Sequence, residues 1–180
     1  MADPVSLGAS IIAIGGAAAT AFKISRSLYR TSKQIRGAKE IIESFANEIG
    51  TYGSVIATAH IALKPYTNIP ISTKSAVFKY LGNHNVVAEV LSQSKLVILH
   101  LKQIMSWIQS LKRKSRIGAI IKWLWRRGEI ENVKPKMESI KASLHILVSV
   151  VTLDAVEKGN KTEVMRHKMC VSTDHAKDLC

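Results

Sequence analysis

Four residues near the C-terminus have the types and spacing of a zinc knuckle. They are His167, Cys170, His175 and Cys180, separated by two, four and four residues. Imidazole nitrogen and thiolate sulfur are the common ligands of structural zinc. The stretch lacks the glycines and aromatic residues that such knuckles carry, so the four residues are a weak candidate. We expect the protein to hold no metal and to need no cofactor.

The other residues able to do chemistry form no catalytic pattern. The six histidines accompany no nucleophile motif, and carboxylates are sparse before Glu129. The sequence Gly159-Asn160-Lys161-Thr162 resembles the end of a phosphate loop, but the upstream glycine spacing is missing. The sequence therefore predicts a protein that is not an enzyme.

Basic residues are the more informative feature. The net charge is +13, and all of the excess lies within residues 1–128, whereas residues 129–180 are neutral overall. Such asymmetry indicates an anionic partner, either a membrane surface or a nucleic acid. Stacking aromatics and nucleic-acid modules are lacking, so nucleic acid ranks third, behind membrane and protein partners. The two cysteines provide no disulfide framework, which favours a cytoplasmic location.

Two basic segments are candidate membrane-binding sites. The first is a stripe at helical spacing: Lys23, Arg26, Arg30 and Lys33. In the second segment, basic residues lie beside tryptophans and aliphatic residues, as at a lipid headgroup boundary. Its candidate residues are Lys112, Arg113, Lys114, Arg116, Lys122, Trp123, Trp125, Arg126 and Arg127. The alternative is a solvated connector over 112–128, with both tryptophans packed into the protein.

The first basic stripe follows an uncharged run over 4–22. No basic residue precedes this run, which disfavours a signal peptide, and its serines and glycines disfavour a transmembrane span. Small residues recur every fourth position, and such a ladder lets another backbone approach closely. The ladder is Ala9, Ala13, Ala17 and Ala21. We expect a helix that begins at Pro4, packs weakly because alanine buries little area, and can also enter a membrane.

Three apolar ladders with steps of three and four residues predict long amphipathic helices. The first ladder is Ile35, Ala38, Ile42, Phe45, Ile49, Tyr52, Ile56, Ala59 and Leu63. The second is Val87, Val90, Ser94, Val97, Leu101, Ile104, Ile108 and Leu111. The third is Ile130, Val133, Met137, Ile140, Leu144, Leu147 and Val151. Pro65 is expected to end the helix that carries the first ladder. Pro135 is expected either to kink the helix that carries the third ladder or to start it.

Three stretches of the sequence resemble a known family. The opening MADPVSLGASIIAIGGAAATAFK, the helix KEIIESFANEIGTYGSVI and the segment IIKWLWRRGEIENVKPKMESIKASLHILV are similar to the fungal N-terminal domain of STAND/NACHT-type proteins, the HeLo-like group. The resemblance covers about residues 1–155. The nucleotide-binding module and repeats that usually follow in that family are not found in this sequence.

The resemblance implies a helical signalling domain. With the ladders, it predicts an all-α fold: an antiparallel bundle of four long helices plus short helical connectors over 1–157, and a flexible tail over 158–180. It implies a role in signal transduction, programmed cell death and heterokaryon incompatibility, with the N-terminal helix and basic surface engaging anionic membranes at the inner face of the plasma membrane. The alternative is a protein–protein adaptor without membrane activity, whose partner is a STAND-type receptor or a second copy.

Purified protein is expected to carry no stoichiometric zinc. A chelator should leave its thermal unfolding unchanged, because the four tail residues are not expected to coordinate a metal. Metal analysis checks this directly: one zinc per chain, lost on Cys170→Ser, would contradict it.

Overall fold

The computed structural model of the protein describes the backbone of residues 4–35, 38–67, 79–81, 86–111 and 116–177. Side chains are described for residues 8–35, 38–67, 79–81, 86–111 and 127–157. Within these ranges the chain is helical and contains no strand, which confirms the predicted all-α class. The long helices are α1 (Pro4–Ser32), α2 (Lys39–Leu63), α3 (Val86–Leu111) and α4 (Arg116–Lys177). A 3₁₀ turn, Lys64–Tyr66, follows α2, and residues 79–81 are also helical.

All three apolar ladders lie in the core. Every residue of each ladder is buried, including Ser94, the one polar member. An amphipathic helix gains most of its stability by burying such a stripe against its neighbours, at roughly 25 cal/mol per Å² of apolar area. The ladder spacing was therefore sufficient to identify the inward face of α2, α3 and the described part of α4.

Each long helix packs against two others. Helix α1 contacts α2 and α3, and α4 likewise contacts α2 and α3. Helices α1 and α2 run antiparallel: Ser32 at the end of α1 donates a hydrogen bond to Glu43 Oε1 at 2.9 Å, near the start of α2. At the opposite end, His60 Nδ1 lies 2.8 Å from the carbonyl oxygen of Ile11. The α1–α2 pair is the most extensive helix–helix contact in the described part of the chain.

Small residues allow α1 and α2 to approach closely. A Cβ atom placed on Gly53 would lie 3.2 Å from the Cβ of Ala21, and one on Gly15 would lie 3.0 Å from the His60 ring. The expectation that α1 buries little apolar area is therefore wrong, and its weak docking stays a prediction. The reason is that α1 also buries large side chains against α2 and α3: Ile11, Ile14, Ile24 and Leu28.

The alanine ladder does not form one buried stripe. Ala17 and Ala21 are buried, Ala13 is partly buried, and Ala9 is exposed. Residues four apart in an α-helix are separated by 400° of rotation, so each step turns the ladder by about 40°. Over three steps it passes from solvent into the core, and only its second half serves helix packing.

Two prolines have different effects. Helix α2 ends at Leu63, next to the end expected at Lys64 from Pro65, and Pro65 lies in the following 3₁₀ turn. By contrast, α4 continues through Pro135, so the expectation of a helix start there is wrong, and the expectation of a kink stays a prediction. Residues 116–128, expected as a connector, also belong to α4. The helix continues to Lys177, so residue 158 does not mark a helix end; the flexibility of the tail stays a prediction.

Tyr52 places a hydroxyl group in the centre of the core. The residue is fully buried on α2, and burial raises the pKa of its phenol to about 12. The Ser94 hydroxyl, on α3, acts in the opposite direction and lowers the pKa in part. The phenol is therefore neutral in the folded protein throughout the physiological range.

Replacing Gly53 by alanine should destabilise the protein although alanine is the better helix former. The added methyl group meets the Cβ of Ala21, which cannot move without its helix, and overpacking of this kind costs about 1–3 kcal/mol. Urea unfolding should show a net loss of about 1 kcal/mol. Gly128→Ala is the matched control, because no atom lies within 4 Å of its Cβ position. It should gain about 0.5–1 kcal/mol, and equal effects of the two changes would contradict the close approach.

The stability of the protein should fall as the pH rises from about 10 to about 12, in part because of Tyr52. The folded-state pKa lies above the unfolded value, so the contribution is fully present below pH 10 and is lost as the pH rises through the folded-state pKa. Tyr52→Phe should remove up to about 2–3 kcal/mol of this loss. The free energy of unfolding, measured across this alkaline range, checks the prediction, with Tyr29→Phe as the control at an exposed tyrosine. If the free energy of unfolding depends on pH in the same way in both variants, Tyr52 is not the source of the loss.

Candidate membrane interface

The basic stripe of α1 lies on the solvent-facing side of the helix. Lys23, Arg26, Arg30 and Lys33 are all exposed, as expected from their spacing. The Lys33 ammonium group lies 5.3 Å from the centre of the Tyr29 ring, a cation–π contact at the end of the stripe. No acidic residue occurs between Pro4 and Ser32, so the stripe has no counter-charge on its own helix.

The same face continues toward the N-terminus as an apolar surface. Ala9, Ile12, Gly16 and Ala19 are exposed, and Ile12 has 68% of its surface accessible. Together with the basic stripe they follow alternating steps of three and four residues. We call this continuous surface, from Ala9 to Lys33, the outer face of α1.

Sequence reasoning found the basic half of the outer face but missed the apolar half. It followed alanines at four-residue steps, which rotate into the core. The apolar half can be identified from its spacing. A row that starts at Ala9 and advances alternately by three and four residues leads directly to Lys23. This row keeps to one side of the helix because steps of three and four rotate in opposite directions.

The second basic segment is described only in part. The side chains of Lys112, Arg113, Lys114, Arg116, Lys122, Trp123, Trp125 and Arg126 lie outside the described residues. Arg127 is exposed, and its Nε lies 4.0 Å from Glu131 Oε1. An exposed pair at this distance contributes little to stability. The membrane role of this segment stays a prediction.

A groove between α3 and α4 is a second surface of interest. One part, of about 430 Å³, has an apolar wall that includes Leu96, Val97 and Ile140. An adjoining part, of about 500 Å³, is lined by more polar residues, and His100 and Lys136 border both parts. Residues 93–100 of α3 line the groove with residues 135–140 of α4, and residues 100–104 line it with residues 129–136, so these two helices are antiparallel.

No metal site is found among the described residues. His167, Cys170, His175 and Cys180 lie outside the residues with described side chains, so the structure does not test their spacing.

Two helical segments are long and apolar enough to cross a membrane, judged by length and composition. They are Gly8–Ser32 and Arg127–Glu157, and less than half of the apolar window of each is buried. Core helices of soluble proteins pass the same test. The Gly8–Ser32 segment contains the outer face of α1 as far as Arg30, while its other side supplies core residues such as Ile14 and Leu28.

Comparisons with family models, with curated proteins and with solved structures find no match for this chain. The resemblance to HeLo-like domains therefore stays a prediction based on the three stretches of sequence quoted above. What the structure itself establishes is an all-α protein whose first helix presents an apolar and basic surface.

Proposed function

We propose that this chain is a HeLo-like, non-enzymatic signalling or cell-death effector domain that binds anionic membranes at the inner face of the plasma membrane. In this proposal residues 1–157 form an antiparallel four-helix bundle with short helical connectors. The observation that carries the membrane part is the outer face of α1, where exposed apolar residues lead directly into four exposed cations.

The two halves of this face suit the two layers of a membrane surface. Exposed lysines and arginines near an anionic surface each contribute about 1 kcal/mol at moderate ionic strength. Ile12, with its neighbouring small residues, can enter the boundary between headgroups and acyl chains. The folded protein binds in this way without releasing α1, whose opposite side remains packed in the core.

Deeper insertion of α1 would require the helix to leave the core. Ile11, Ile14, Ile24 and Leu28 would then become available to lipid, but their contacts with the rest of the core would be lost. We therefore propose surface binding as the resting interaction and detachment of α1 as a triggered step.

The groove between α3 and α4 supports the alternative, a protein–protein adaptor. Its apolar wall and bordering polar residues are the features of a groove that accepts an amphipathic helix of a partner. In that case the basic surface would affect partner choice rather than membrane binding.

Charge reversal on the outer face should weaken binding to anionic vesicles. Arg26→Glu combined with Arg30→Glu should reduce co-flotation with phosphatidylserine-containing vesicles by roughly tenfold or more, because the net charge of this surface falls by about four units. The matched control is Lys95→Glu with Lys102→Glu, an equal charge change at exposed positions on α3. Its effect should be smaller. Equal losses would show that net charge, rather than the outer face, drives binding.

The apolar half is tested by Ile12→Glu. We expect less leakage from anionic vesicles, because a carboxylate opposes entry of this face into the headgroup region, while the circular dichroism spectrum stays helical. Ile61→Glu is the matched control, since Ile61 on α2 has 69% of its surface accessible. Leakage that is unchanged by Ile12→Glu, or reduced equally by both changes, would favour the adaptor alternative.

A further inference from the structure

Helix α4 carries an apolar ridge on the side opposite its core residues. Ile146, Leu153 and Val156 are 66%, 69% and 56% exposed, respectively. Ala142 and Ser149 are exposed on the same side and complete a row with steps of three and four residues. Large aliphatic side chains exposed in a continuous row mark a surface that a partner covers.

The outer face of α1 matches this ridge in size when the two helices are aligned antiparallel. Ile146 then lies opposite Gly16, and Leu153 lies opposite Ala9. In the same alignment, Ile12 lies opposite Ser149. Ile146, Leu153 and Ile12 each face a small residue, and this match in size allows two helices to pack closely.

The same alignment also matches charges. Glu138 lies opposite Lys23, and Glu131 lies opposite Arg30; all four side chains are exposed. The two glutamates are exposed and make ion pairs within α4, Glu138 with the half-buried Lys141, and Glu131 with Lys134 and Arg127. The Arg127–Glu131 pair has both partners exposed and contributes little to stability, so the Glu131 carboxylate can exchange to a new partner. Size and charge therefore select the same register.

One chain cannot satisfy this match within itself. Helices α1 and α4 are not a packed pair, because each contacts α2 and α3 and their matching faces point to solvent. We propose that the outer face of α1 binds the α4 ridge of a second copy of this chain. The contact joins two different surfaces, so each added copy leaves one face free at either end unless the rotation between copies closes a ring.

This contact needs no membrane, so its test is made in the absence of lipid and is independent of the membrane proposal. A single helix–helix contact is at the small end of specific interfaces, and we expect association at about micromolar concentrations. Sedimentation of the full chain over a range of concentrations should show growth beyond the dimer. A chain that stays monomeric throughout would overturn the proposal.

Variants with exchanged side-chain sizes test the register. Gly16→Leu should weaken association by roughly tenfold or more, because it fills the site of Ile146. The fold should tolerate it, since no atom beyond the adjacent turns of α1 backbone lies within 4 Å of the Gly16 Cβ position. Ile146→Ala should also weaken association, and the combined variant should restore it in part. Failure of the combined variant to recover would overturn the pairing.

Exchanged charges provide a second test that leaves the apolar row intact. Arg30→Glu or Glu131→Lys alone should weaken association, and the two together should restore it. If Ile146→Ala instead lowers vesicle binding and leaves sedimentation unchanged, the ridge is a lipid-facing surface and the proposal is wrong.

Discussion

The close approach of α1 and α2 fixes which side of α1 faces solvent. Gly53 leaves room for Ala21, Gly15 leaves room for the His60 ring, and the His60 hydrogen bond to Ile11 holds the N-terminal end of α1 in place. With these contacts made, Ile11, Ile14, Ile24 and Leu28 of α1 face the core. The apolar and basic row from Ala9 to Lys33 is what remains on the outside, so the candidate interface is a consequence of the packing behind it.

The apolar ladders of α2, α3 and α4 were fully predictable because one face of each of these helices is apolar and the other polar. Helix α1 was harder, since its exposed and buried faces are both built from alanine, glycine and isoleucine. The composition of such a helix does not reveal which of its sides is buried, because the tertiary contacts decide this. Pro135 is a second position where the sequence alone was insufficient. The intrinsic propensity of proline favours a break in the helix. The helix nevertheless continues, because the residues before and after Pro135 bury one continuous ladder, Ile130 to Val151.

Both proposals make use of the outer face of α1, and they are mutually exclusive at any one copy. A copy whose α1 face is covered by the α4 ridge of its neighbour cannot place that face on a membrane. An open-ended assembly in solution would therefore leave one α1 face free at its end. Anionic lipid would therefore compete with assembly for the outer face of α1.

The central claim is that the outer face of α1 lies against the membrane while the fold stays intact. It is tested most directly by a fluorophore attached at residue 12, in a chain whose native cysteines are replaced by serine, with quenchers carried on the lipid of anionic vesicles. The account predicts strong quenching at residue 12 and little at residue 61, with helicity unchanged. Equal quenching at the two positions, or stronger quenching at residue 61, would contradict it.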